Sequence, residues 1–407
     1  MTEQTAWRSP PCSASVFTAS LGYGVVLPML PAVVNRLMPG APSADASWHA
    51  GTVAGIYLLF IFLFAPVWGC ISDRSGRKPV ILVGLLGYAG TLGLFVAAQS
   101  MTAVYVARAL AGVFVAAIPP IASAYVSESA REGRRPRQLA WLGAASLLGF
   151  VIGPAMSGGL LRMMTTLDYL AGASPTAVPL SLAAVLAVLV AMTVYRWLPG
   201  SVTVPSRAAW GSKTDWGRDG ARSRLATVLS LSVLVTFGLG SFEMGITLQM
   251  AQSARFSPSD LAVMFAECSL VMIAVQVIAF SPAIRPIPGH LLVVPAFFAM
   301  ALGLSLLPAS ETLLGMVVAV GLISASAGLI MPALTHMVSL QTVLPLGVAL
   351  GVQTALASAG QAAGSLAAGA LYGSLADGLY WVGAGSMVFA ALLSMMQLRH
   401  PARTSAT

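Results

Sequence analysis

Apolar runs of about the same length recur along the chain with short polar breaks between them. They fall near 14–34, 50–69, 79–98, 102–125, 138–160, 177–197, 225–250, 258–280, 289–308, 312–338, 345–372 and 376–397. A helix crosses the hydrocarbon core of a bilayer with about 20 predominantly apolar residues, so the pattern predicts twelve spanning helices and an all-α integral membrane fold. The longest polar break, 198–224, is rich in Gly, Ser and charge and separates six spans from six. It predicts two six-helix bundles, 1–197 and 225–407, joined by a linker over 198–224. The first run opens with a single basic residue, Arg8, ahead of it, which favours a retained helix over a signal peptide.

Composition narrows the class. Only 8% of the 407 residues are charged and 57% are hydrophobic, against roughly 25% charged in soluble domains. The net charge of +8 does not point to nucleic acid, because no soluble domain carries a basic face. Cys12, Cys70 and Cys268 have neither disulfide-framework nor zinc-ligand spacing; no metal and no cofactor are expected.

The basic residues report topology instead, since Lys and Arg beside spans stay on the cytoplasmic side. With the N terminus inside, almost all of the 21 Lys and Arg fall in cytoplasmic segments. Arg36, Arg162 and Arg255 are the exceptions, and Arg108 lies within a span. Both termini and the linker are therefore expected in the cytoplasm, on a multi-pass protein of the cell membrane.

The halves also repeat. Gly149, Gly153 and Gly158 in span five have the same spacings as Gly360, Gly364 and Gly369 in span eleven, and Pro120 in span four corresponds to Pro332 in span ten. Two pseudo-symmetric halves are a common transporter plan.

Several polar residues break the apolar pattern. "GCISDRSGRKPV" at 69–80 packs Asp73, Arg74, Arg77 and Lys78 between spans two and three. Gly69 and Gly76 permit a sharp turn and close helix approach. The stretch is either a solvated basic turn that fixes topology or a gate. Gly149, Gly153, Pro154, Gly158 and Gly159 give span five a flat face for tight packing, and Pro154 deletes one backbone hydrogen bond. That face is either a hinge that also seals the pathway or plain small-residue packing, with Gly360 and Gly364 as its counterpart in the second half. Arg108 either faces a wet cavity or an acid, or snorkels to the interface. Two acids fall inside spans, Glu243 in "GLGSFEMG" and Glu267 in "FAECSL". Each is a proton-carrying candidate, because burial and water exchange move a carboxyl's proton affinity, or else an outer-vestibule residue.

These motifs resemble those of the major facilitator superfamily, in particular its drug:proton antiporters. The loop at 69–80 matches the superfamily's loop signature throughout. "GFVIGPAMSGG" at 149–159 is similar to the antiporters' span-five motif, "RALAG" at 108–112 to their span-four motif, and "GVVLPMLP" at 24–31 to their first span. "IMPALTHMVS" at 330–339 is similar to tetracycline efflux proteins. The resemblance implies that Asp73 sits against the N-terminal end of span eleven, here near Leu344, and that Arg77 pairs with Glu128 in one conformation of a cytoplasmic gate. There are departures: Ala19 and Ser20 stand where many of these antiporters carry an acid in span one, and "PAIRPIPGH" at 282–290 lacks the loop motif's Asp.

The resulting expectation is a monomeric secondary transporter of a bacterial inner membrane. It exports small apolar or amphipathic molecules against protons by alternating access. An exporter of an endogenous metabolite, such as a siderophore or antibiotic, and a proton-coupled importer are the alternatives; an enzyme is not expected, as the four His are scattered.

Overall fold

The computed structural model describes residues 9–129, 135–167, 176–199, 219–253, 256, 258–279, 289–310, 312–339, 346–373 and 375–398. Of the linker expected over 198–224, residues 200–218 lie outside them, as do 282–288 of the second-half loop, the residues around Leu344, and Arg131 and Arg134; residues 219–224 already belong to the helix of span seven. Every element among the described residues is helical. Span one is an α-helix Ser9–Val26, a 3-10 turn Leu27–Met29 and an α-helix Leu30–Leu37; span four is Met101–Val115 followed by Pro119–Ser129. Single helices make the others, in chain order Ser43–Ser75, Arg77–Ala97, Arg135–Leu167, Ala177–Trp197, Asp219–Gln252, Pro258–Ala279, Gly289–Leu306, Leu313–Ser339, Leu346–Tyr372 and Ala376–Leu398.

Both interruptions sit at prolines. Pro28 is the middle residue of the 3-10 turn and Pro31 lies in the first turn of the helix after it, and Pro119 and Pro120 open the second piece of span four. Proline lacks the N–H that an α-helix interior needs but is tolerated at a first turn.

Among the described residues, ten helices are long and apolar enough to cross a membrane. Two others, Gly289–Leu306 and Leu346–Tyr372, complete the twelve. Span six shows the solvent for which these helices are built: Leu182, Val185, Leu189 and Met192 are exposed on one face, while Ala183, Ala187, Val190, Ala191 and Val194 are buried on the other. Large apolar side chains outside and small ones inside suit a helix in lipid, where packing rather than hydrophobicity joins helices.

The packing repeats between halves. Span one packs on span five as seven does on eleven; two on four as eight on ten; three on six as nine on twelve. The contacts between halves obey the same twofold relation, span two against eleven and span five against eight.

The repeated glycines explain part of this. A Cβ on Gly149 or Gly153 would strike the span-one backbone at Phe17 and Leu21; one on Gly360 or Gly364 would strike the span-seven backbone at Val233 and Phe237. Span two is longer than its apolar run, starting at Ser43 rather than 50. Its polar prefix is helical because Ala44, Ser47 and Gly51 lie against Gly373 and Gly369 of span eleven, where small residues are needed and lipid is absent.

Candidate functional site

A layer of aromatic and polar side chains crosses the middle of the bundle and joins the halves. Glu243 of span seven is 3% exposed. The Tyr23 hydroxyl, from span one, donates to Glu243 Oε2 at 2.9 Å, and Gln361 Nε2, from span eleven, donates to the same oxygen at 2.9 Å. A carboxylate buried with two donors is far better placed than one left bare. Glycine makes the approach possible: a Cβ on Gly240 would strike the Gln361 backbone, so a larger residue there would push span eleven away from the acid.

The Tyr23 ring continues the layer into the first half. It stacks on Tyr57 of span two, with ring centroids 5.4 Å apart, and on Phe150 of span five at 5.8 Å. Phe150 meets Phe265 of span eight edge-on at 5.9 Å, so the second contact between halves is also aromatic.

Arg108 lies on this layer. Its guanidinium carbon stands 4.1 Å from the centroid of the Tyr57 ring, and the side chain is 1% exposed. A desolvated cation–π contact of this kind is worth about 2 kcal/mol, comparable with the cost of about 2.5–3.5 kcal/mol for an arginine at mid-membrane. Gly112, one turn along, abuts the Tyr57 backbone and Phe60 and keeps span four pressed on span two. Arg108 thus points inward rather than to the interface, and it rests on a ring rather than on an acid.

Glu267 stands apart from the layer. Its Oε1 faces Gly321 of span ten, 3.2 Å from where a Cβ would be, and its Oε2 is buried without a hydrogen-bond partner among the described residues.

At the other end of span two, Gly76 adopts φ +90°, a left-handed conformation that glycine enters freely. It is the whole connection between Ser75 and Arg77. The turn places Arg77 Nη1 2.6 Å from Asp73 and Arg77 Nη2 2.6 Å from Glu128 of span four. Arg77 also donates from Nη1 to Ser72 Oγ at 2.5 Å. Arg77 and Glu128 are 10% and 17% exposed, whereas Asp73 is 52% exposed. Lys78 reaches the Tyr195 carbonyl of span six at 2.8 Å; Arg74 is exposed, and Gly69 has open space beside it. Span five's Gly158 is buried, Pro154 packs on Gly24 of span one, and Gly159 faces open space.

The Major Facilitator Superfamily profile matches residues 12–345. The chain belongs to that superfamily of transporters. Multidrug resistance protein 1 of Bacillus subtilis (strain 168) is 26% identical over 270 residues, 65% of this chain and 64% of that protein. The chain thus matches slightly less than two thirds of that relative's length. Tetracycline resistance protein, class G, of Vibrio anguillarum is 31% identical over 154 residues, 38% of each chain. Tetracycline resistance protein, class D, of Salmonella ordonez is 26% identical over 401 residues, 95% of this chain and 96% of that one. Among solved structures, the xylose transporter XylE of E. coli, in a partially occluded inward open conformation, superposes with a TM-score of 0.73 at 15% identity, over 98% of this chain and 99% of that one. That likeness shows the fold.

Several members of the central layer escape sequence reading. Tyr23 and Tyr57 look like ordinary aromatic residues of apolar runs, and Gln361 hides between Gly360 and Gly364. The available signal is that an uncharged polar side chain in the middle of a small-residue face has to find a partner on the helix it packs against.

Proposed function

We propose that this superfamily member exports small apolar or amphipathic molecules in exchange for protons, with Glu243 as the coupling acid. The observation that carries the reading is the Tyr23–Glu243 bond, the point where an ionisable group ties the two halves together. Ionised, Glu243 accepts strongly from both Tyr23 and Gln361; protonated, it loses the charge that both bonds use. Its charge state and the relation of the halves are then one equilibrium. Inward movement of a proton down 100 mV supplies about 2.3 kcal/mol, enough for roughly a fiftyfold gradient of a neutral substrate. The relatives' names support drug-like substrates.

Ala44, Ser47, Gly51 and Gly55 of span two meet Ala362, Ser365, Leu366, Gly369 and Gly373 of span eleven, and Gln252 of span seven donates to Ser47 Oγ at 2.9 Å. In this reading that end is the outer one, sealed here, and the central layer is reached from the Gly76 end. The Asp73–Arg77–Glu128 cluster organises the inner turn, and the half-exposed Asp73 would exchange its Arg77 pair for the first turn of span eleven when the inner ends close.

The test is pH-driven exchange of tetracycline or ethidium in proteoliposomes. Glu243→Gln is expected to abolish acceleration by a proton gradient, with Glu267→Gln as the comparison. Retention of that acceleration in both variants overturns the coupling assignment.

A further inference from the structure

Among the described residues, Arg108 is held by an aromatic face alone. Its Nε, Nη1 and Nη2 are all buried without a hydrogen-bond partner among the described residues. The contact given for the guanidinium is the Tyr57 ring, and no ion pair to a carboxylate reaches it among the described residues. A second unmatched polar group, the Tyr88 hydroxyl, is also buried and without a partner among the described residues. Tyr88 comes from span three, and its hydroxyl occupies the space that a Cβ on Gly22 of span one would take.

Five guanidinium N–H groups and one phenol therefore gather in the central layer with no acceptor among the described residues, on a floor made by the Tyr57 ring. Leaving a buried donor unmatched costs about 1–3 kcal/mol, and more for a charged group. Structures keep such a cluster where something else supplies the acceptor. What complements it is a planar anionic oxygen pair, which an arginine grips in a bidentate manner.

We propose that Arg108 and Tyr88 receive the anionic oxygens of the transported molecule, so that the preferred substrates are amphipathic acids carrying a carboxylate, phenolate or enolate beside an apolar body. The assignment rests on the transport reading above and names its substrate class. It divides the layer between two tasks: Glu243 handles the proton on the second half, and Arg108 holds the substrate's charge on the first. Tyr23 contacts both Glu243 and the ring under Arg108, which puts the two tasks one side chain apart.

Equilibrium binding tests this without requiring transport or proton coupling, so its failure is distinguishable from theirs. Thermal unfolding of the full-length protein in detergent is followed with rising 1-pyrenebutyrate and, separately, its amide, in gluconate and in chloride buffer. The carboxylate should bind wild type about tenfold or more tightly than the amide, as expected for bonds to a charged group. In Arg108→Gln the preference should fall to within about twofold, with Arg108→Lys intermediate because it keeps charge but not the fork. Arg108→Gln also removes a buried charge whose cost the Tyr57 contact only roughly offsets, so the ligand-free variant should unfold at about the wild-type temperature. Equal binding of acid and amide by wild type overturns the proposal, as does stabilisation by chloride alone or a preference that survives in Arg108→Gln. A ligand-free Arg108→Gln that unfolds well below wild type overturns it too, since the arginine would then be a structural prop; Tyr88→Phe, which keeps the ring and should weaken only the carboxylate, separates the two roles if that variant does not fold.

Discussion

Tyr23 performs two jobs with one side chain: its hydroxyl donates to Glu243 and its ring stacks between Tyr57 and Phe150. Tyr23→Phe removes the first and keeps the second. Hydrogen bonds to charged groups contribute about 1.5–3 kcal/mol, so Tyr23→Phe should lower thermal stability by that order. In a double-mutant cycle with Glu243→Gln the coupling should exceed about 1 kcal/mol; a coupling near zero means that the bond does not tie the halves. Arg77 poses a similar question at the turn, where it is nearly buried between Asp73 and Glu128. Asp73→Asn leaves the Glu128 pair intact and Asp73 is half-exposed, so stability should change by less than about 1 kcal/mol while transport falls severely. Transport at the wild-type rate, measured against surface abundance, would remove Asp73 from any gating role.

The elements show what hydropathy can and cannot see. A run of apolar residues marks a helix that meets lipid, so the spans were legible from their outer faces. The turn was legible as well, because Gly76 must stand where two helices meet with one residue between them. Helix-on-helix contact is written differently, in small and weakly polar residues such as Ala44 and Ser47 of span two, and hydropathy passes over it. The same holds for the central layer: Glu243 and Arg108 were visible because a charge in a span is costly, whereas Tyr23, Tyr57, Tyr88 and Gln361 are affordable anywhere. Glycine spacing exposed the seams but not their partners. The structure now separates glycines that fill a seam from those that do not. Gly364→Ala would drive a Cβ into the Phe237 carbonyl of span seven, which as backbone cannot move aside; Gly159→Ala meets open space. The first should cost about 1–3 kcal/mol or more and the second about nothing, by thermal unfolding.

At the scale of the whole molecule the question is whether the halves rock. If they do, the contact of span two with span eleven at the Ala44 end must break in every cycle, and a covalent bond across it must stop transport. Ala44 and Gly373 are the place to put such a bond, but a Cβ on Gly373 would stand 2.2 Å from Ala44 Cα and 2.6 Å from its Cβ, so the two helices have to part by about 1 Å to reach the Cβ spacing of about 3.8 Å and the Cα spacing of at least about 4.4 Å in disulfides. The exposed Cys70 needs replacement by serine first, while Cys12 and Cys268 are buried. In that background Ala44→Cys with Gly373→Cys should cross-link under mild oxidation, lose transport, and regain it on reduction. Substrate should slow the cross-linking if it drives the halves toward the opposite conformation. A cross-linked protein that still transports at the reduced rate would mean that this seam is a fixed part of the scaffold, and that the change of access has to be sought within one half.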